Sequence, residues 1–233
     1  MRLSVAVVSA PDLFDPSGLS RRELRRPTEA VRNHAGGGQA RILMVCTGNI
    51  CRSPMAEVLL RAQLHGAARI RSAGTRALID KPMTADAQEL AIEFGASDED
   101  VAAHRARWLL EPVAEDADLI LTMSLEHRTA AVELAPRLLR QTFTIREFAR
   151  LSDRLTADQI KSTADAAGDS PRARLAAVTA LVAQQRGATA PASQADDEVI
   201  DPYRRSRETY EKSAAQLVPA IDEVARVLRA ALG

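Results

Sequence analysis

Four apolar residues, Ile42-Leu43-Met44-Val45, run straight into Cys46-Thr47-Gly48-Asn49-Ile50-Cys51-Arg52-Ser53-Pro54, and a helical pattern opens at Pro54. The order is strand, loop, helix, which begins an α/β fold of parallel strands and crossover helices. A loop entering a helix aims unpaired backbone N–H groups and the positive end of the helix dipole at its concave side, so the site favours an anion. The same field favours a thiolate at Cys46. Arg52 adds a planar guanidinium whose two parallel donors match phosphoryl oxygens in a way a lysine cannot. Cys46 is therefore the expected nucleophile and Arg52 the expected clamp on the phosphoryl group. Gly48 lets backbone approach the anion, and Asn49 tolerates a left-handed conformation.

The chain of 233 residues has room for one sizeable domain with appendages. Lys+Arg and Asp+Glu are both 31, so no global basic field points to nucleic acid and any anion site is local. Two cysteines five positions apart make no secreted disulfide framework, which fits a reducing cytoplasm. No apolar run approaches the roughly 20 residues of a membrane span. The Cys/His spacing offers no zinc pattern, so neither a metal nor a cofactor is expected. Residues 1–40 carry Arg21-Arg22 and Arg25-Arg26 and end in Gly36-Gly37-Gly38, the composition of a flexible leader.

Further strands are expected near Arg69 to Ser72, at Leu119 to Met123 and, more weakly, at Gln141 to Ile145. Helices are expected from Pro54, with Ser53 as N-cap and Met55, Leu59 and Ala62 buried, and from Ala85, with Ala87, Leu90, Ala91 and Phe94 on one face. Gly95 would stop the second. Past Leu151 regularity fades. Residues 153–197 read as an insertion with one amphipathic helix marked by Leu175, Val178, Leu181 and Val182, and Gly187 to Asp197 as a linker. A helical pattern through Leu217, Ile221, Val224 and Leu228 closes the chain, with Pro219 as a kink or a late start. The expected architecture is a doubly wound, four-stranded parallel sheet with helices on both faces and an added helical insertion, Cys46 ending the first strand.

The run Val45 to Glu57 closely resembles the signature of the low-molecular-weight protein-tyrosine phosphatases. The resemblance continues, more thinly, through Arg71-Ser72-Ala73-Gly74-Thr75, Asp118 to Met123 and Asp201-Pro202-Tyr203, covering roughly residues 41–150 and 198–233. It implies hydrolysis of phosphotyrosine or small aryl phosphates through a cysteinyl-phosphate. It also implies a supporting network of Asn49, Ser53, Ser72 and His104, with the Ser53 hydroxyl directed at the thiolate. Asp201 is the implied acid, later base, and Tyr203 an implied pocket wall; Arg204-Arg205 departs from the small or acidic residues often found there.

Each assignment has a plainer counterpart. Cys46 reads otherwise as a buried strand-end thiol, Asp201-Pro202 as an ordinary turn, and His104 as a partly exposed histidine. His127 reads as an ordinary helix-start residue without a role. Cys51 is either packing beneath the loop or a partner for a reversible disulfide with Cys46. Ile50 stands where the related phosphoarginine phosphatases tend to carry Thr, and an aliphatic branch there would pack on an aromatic ring, favouring phosphotyrosine. Arsenate reduction by a thiol relay lacks a third cysteine, and a phosphate-binding module without turnover would not need Cys46, Arg52 and Asp201 together.

Overall fold

A computed structural model describes residues 38–188, 191 and 193–233. The leader expected at residues 1–40 lies, up to residue 37, outside the described residues. One sheet holds β1 (Ala40–Cys46), β2 (Ala68–Gly74), β3 (Leu119–Thr122) and β4 (Thr142–Thr144) in the order β2-β1-β3-β4, all pairs parallel. Among the described residues the α-helices are α1 (Arg52–Leu64), α2 (Ala85–Glu93), α3 (Asp98–Ala103), α4 (Glu111–Glu115), α5 (Leu125–Leu134), α6 (Ile145–Ser152), α7 (Ala157–Ala166), α8 (Pro171–Gln184) and α9 (Arg207–Leu232).

The alternation of β1 sets the layers. Ile42, Met44 and Cys46 enter a core shared with Met55 and Leu59 of α1, Phe148 of α6, Val178 of α8, and Leu217 and Val224 of α9. Leu43 and Val45 join Ile120, Ala114 of α4 and Ala131 of α5 in a second cluster. Successive side chains of a strand point to opposite faces, so a strand apolar at every position needs helices on both. The expected doubly wound sheet is the one observed. Its strand order reverses at β1, with β2 on one side and β3 on the other, and the crevice at the carboxyl ends of such strands is where ligands bind. Cys46 and Gly74 sit opposite each other at that end.

Four local expectations are corrected. Cys51, not Ser53, is the N-cap of α1, and Ser53 is fully buried within the first turn. Pro54 is accordingly the third helical residue and not the first, still within the turn whose N–H groups have no intrahelical acceptor. Phe94 is the C-cap of α2 and 44% exposed, while Ala87, Leu90 and Ala91 are buried as the spacing requires. The polar, Ala-rich stretch after Asp153 contains α7, opened by a capping box between Thr156 and Gln159. Finally, α9 begins at Arg207 and runs through the exposed Pro219, which is therefore no late start. The anticipated helix on Leu175, Val178 and Val182 is α8, with all three buried.

Candidate active site

Residues 46–51 leave β1 and enter α1 beside the segment that follows β2. Loop carbonyls are taken up on that side: Cys46 O accepts from Thr75 N–H at 2.9 Å, Thr47 O from Arg76 N–H at 3.0 Å, Gly48 O from Leu78 N–H at 3.0 Å and Ile50 O from Thr84 N–H at 2.9 Å. With the carbonyls bonded outward, the loop N–H groups are the backbone donors left for a ligand. Asn49 holds φ at +54°, the left-handed conformation its side chain tolerates. The closest approach is made at Gly74 rather than at Gly48. A Cβ at Gly74 would lie 2.4 Å from Thr47 O and 3.0 Å from Asn49 N, whereas one at Gly48 would meet only Ile50 at ordinary contact distance.

The Asn49 amide organises the polar interior. Its Oδ1 accepts from Arg107 N–H at 2.9 Å, which turns Nδ2 toward Ser53 Oγ at 2.9 Å and Ser72 Oγ at 2.8 Å. Ser72 in turn donates to the buried Glu57 carboxylate. With Ser53 Oγ already accepting, its hydroxyl proton is available to Cys46 Sγ, 2.9 Å away. Asn49 N–H provides a second donor to the sulfur at 3.3 Å. Two donors on Sγ suit a thiolate. His104 is 5% exposed, and its Nε2–H donates to Asn49 O at 2.8 Å. Burial, partly offset by that hydrogen bond, pushes its pKa below the ordinary histidine value, so the ring is neutral and the donating tautomer is fixed by the carbonyl. The plainer reading of His104 as a surface histidine does not hold.

Arg52 lies almost wholly buried, with Nη1 donating to Val199 O at 3.1 Å and Nη2 2.8 Å from Asp201 Oδ2. Its Nε is buried without a partner among the described residues, a donor suited to an oxyanion. Asp201 is half exposed, and its other oxygen accepts from Tyr203 N–H at 3.2 Å. Solvent thus reaches the pair from the Asp201 side, while the guanidinium stays enclosed.

The profile described as "Low molecular weight phosphotyrosine protein phosphatase" matches residues 41–160. The chain belongs to this family. It is 42% identical over 101 residues to the low molecular weight protein-tyrosine-phosphatase Etp of Escherichia coli K12, a match over 43% of this chain and 66% of Etp. The chain thus spans slightly less than two thirds of that relative. Vibrio vulnificus Wzb in complex with benzylphosphonate superposes with a TM-score of 0.55 at 26% identity, over 81% of this chain and 98% of Wzb. The YwlE arginine phosphatase from Geobacillus stearothermophilus gives 0.57 at 26% identity, over 82% and 93%.

Two buried residues to which the sequence assigned no role join the site of this family member, Glu57 through Ser72 and His127 through Thr47. His127 is 2% exposed, with Nε2 2.8 Å from Thr47 Oγ1 of the loop and Nδ1 2.8 Å from Ser124 Oγ. Burial, then the nearby Arg52 guanidinium, push its pKa down to about 4 against a smaller opposing pull from Asp201. The readable signal was its position one helical turn past the carboxyl end of β3, with Ser124 as the α5 N-cap. Ile50 is only 5% exposed and lies in the core, which leaves little of its side chain open to the ring contact expected of it. Tyr203 is 38% exposed and lies under the Arg204 guanidinium, 5.2 Å from its ring centre. Cys51 Sγ has Thr84 Oγ1 at 3.4 Å and Tyr210 Oη at 3.6 Å as partners, and both cysteines are free thiols. Burial pushes the Cys51 thiol up and Tyr210 up to about 12.

Proposed function

We propose that this chain hydrolyses phosphotyrosine and small aryl phosphates through a cysteinyl-phosphate. The Cys46 sulfur forms a bond to phosphorus as the P–O bond to the leaving oxygen breaks, and Asp201 protonates that oxygen. Arg52 and the loop N–H groups hold the charge of the equatorial oxygens. Asp201, now a carboxylate, then takes a proton from water as it attacks phosphorus, the S–P bond breaks, and inorganic phosphate leaves. The observation that carries this reading is the meeting of Asp201 with Arg52 at 2.8 Å across the mouth of the loop that begins at Cys46. Thr47, Gly48, Asn49, Ile50 and Cys51 form the phosphate loop, Ser53, Ser72 and His104 support it, and Tyr203 stands at the rim.

A second reading, hydrolysis of phosphoarginine, is favoured by the superposition on YwlE. The family resemblance alone speaks against it, since Ile50 stands where the phosphoarginine phosphatases tend to carry Thr. The deciding assay compares phosphotyrosine and phosphoarginine side by side for the wild type and Cys46→Ser. Faster turnover of phosphotyrosine, abolished in Cys46→Ser, is expected; turnover that survives Cys46→Ser sinks the mechanism, and faster phosphoarginine turnover sinks the substrate. No described helix is long and apolar enough to cross a membrane. Two free thiols accord with a cytoplasmic setting, where Cys51 would trap an oxidised Cys46 as a reducible disulfide. Its raised pKa makes that trapping slow, so peroxide inactivation reversed by thiol in the wild type and not in Cys51→Ala is the outcome that supports it.

A further inference from the structure

Away from the loop, a cavity of about 470 Å³ opens between α8 and the 3-10 turn Pro136–Gln141 that leads into β4. Arg140, Gln141, Thr179 and Arg186 line it beside Ala180 and Ala183. Two of these residues carry a buried polar atom, Gln141 Oε1 and Thr179 Oγ1, without a hydrogen-bond partner among the described residues. Thr179 is 1% exposed. Elsewhere in these helices Thr129, Ser152 and Thr163 return their hydroxyls to the carbonyl four residues back. Thr179 does not. A buried hydroxyl that forgoes this bond carries an uncompensated desolvation cost, which a partner brought by a ligand or water would remove.

The charges lining the cavity are both positive. Arg186 is fixed by Nε to Glu147 at 2.9 Å and Nη2 to Thr142 O at 2.9 Å, with its guanidinium 4.1 Å from the Phe143 ring centre. Its Nη1 makes no hydrogen bond among the described residues. Arg140 is exposed and makes no ion pair among them. Guanidinium donors call for an oxyanion. Gln141 Oε1 only accepts, so the occupant must also bring a donor such as a hydroxyl. The alanine methyls leave the room, and the volume falls within the roughly 300–1,000 Å³ of small-molecule sites.

We propose that this cavity is a second binding site, for a small hydroxylated phosphate monoester of sugar-phosphate size. Its phosphoryl oxygens meet Arg140 and Arg186, the Thr179 hydroxyl pairs with the ligand, and a ligand hydroxyl donates to Gln141. The site is independent of turnover at Cys46.

The test titrates the full chain, labelled with nitrogen-15, with the non-hydrolysable methylene phosphonate of glucose 6-phosphate, alongside inorganic phosphate and glucose. Amide shifts of Gln141, Thr179 and Arg186 are expected to saturate together. Arg140→Ala and Thr179→Val should each raise the Kd at those amides at least tenfold while the amides of Thr47 to Arg52 keep their wild-type response. Without ligand, Thr179→Val should melt no lower than the wild type, because it removes an unpaired hydroxyl and keeps the volume. Absence of a saturating shift at the three amides, or an unchanged Kd in both variants, overturns the site and leaves water as its occupant. Inorganic phosphate or glucose binding as tightly as the phosphonate overturns the ligand class.

Discussion

At the scale of single residues, His127 is a positioning residue: it holds Thr47 of the loop and is itself held by Ser124. Replacing it with alanine leaves two hydroxyls short of a partner, at about 1–3 kcal/mol for those that stay buried. His127→Ala is expected to lower kcat/KM for an aryl phosphate by roughly tenfold, equivalent to about 1.4 kcal/mol. The histidine also predicts a pH signature. Its folded pKa of about 4 lies below the ordinary value of 6.5, so between those limits the unfolded chain binds more protons. Its contribution is complete above pH 6.5 and is lost as pH falls toward 4. The full span is about 3 kcal/mol by the usual 1.36 kcal/mol per pKa unit. Denaturant unfolding at pH 7 and pH 4.5 should show a smaller drop for His127→Ala than for the wild type. Equal drops would mean that His127 does not titrate in this window, leaving the acid sensitivity to His104, whose pKa is lowered too.

At the scale of elements, α6 fixes the strap that brings Asp201 to the loop. Arg150 grips Asp197 with two hydrogen bonds, Nε at 2.9 Å and Nη2 at 2.7 Å, and Arg146 donates to Glu198 O at 2.7 Å. Val199 N–H then bonds Met123 O at the end of β3, and Val199 O receives Arg52. Arg150→Ala leaves a nearly buried carboxylate without its main partner, at roughly 1–3 kcal/mol given the partial exposure of the pair. If Asp201 is the acid, its displacement matters most for a poor leaving group. Arg150→Ala should thus lower kcat/KM more for phenyl phosphate than for p-nitrophenyl phosphate, and equal losses would assign Arg150 to stability alone. The 46–54 loop was legible in sequence because strand, loop and helix are contiguous. The strap was not, because its pairings join α6 to residues 47–52 positions later, where no spacing rule operates. His127 was missed for the same reason: its partner Thr47 lies 80 residues away. Helix α7 was legible in its capping box, but its low apolar content outweighed that local signal.

At the scale of the whole molecule, the question is whether residues 153–197 are an appendage or part of the domain. The family profile stops at residue 160, and α8 lies wholly beyond it. Yet Ile160, Leu175, Val178 and Val182 are each no more than 1% exposed and lie in the same cluster as Met44 of β1 and Leu121 of β3. Arg172 ties α8 to Asp118 at the start of β3, and Arg174 donates to Ala231 O near the end of α9. Four buried aliphatic side chains at about 1.5–3 kcal/mol each contribute roughly 6–12 kcal/mol. A whole domain is stable by only about 5–15 kcal/mol. The entropy of ordering the insertion offsets part of that gross term, but the four side chains pack within the shared core and not beside it. Joining Leu155 to Ser193 through a short Gly-Ser linker is expected to abolish cooperative thermal unfolding and expose apolar surface that binds a hydrophobic dye, even though the Cys46 loop, Asp201 and the strands are all retained. A deletion chain that still unfolds cooperatively near the wild-type Tm would show that α6 and α9 close over the exposed core without α7 and α8, and would make the insertion a peripheral addition to the fold.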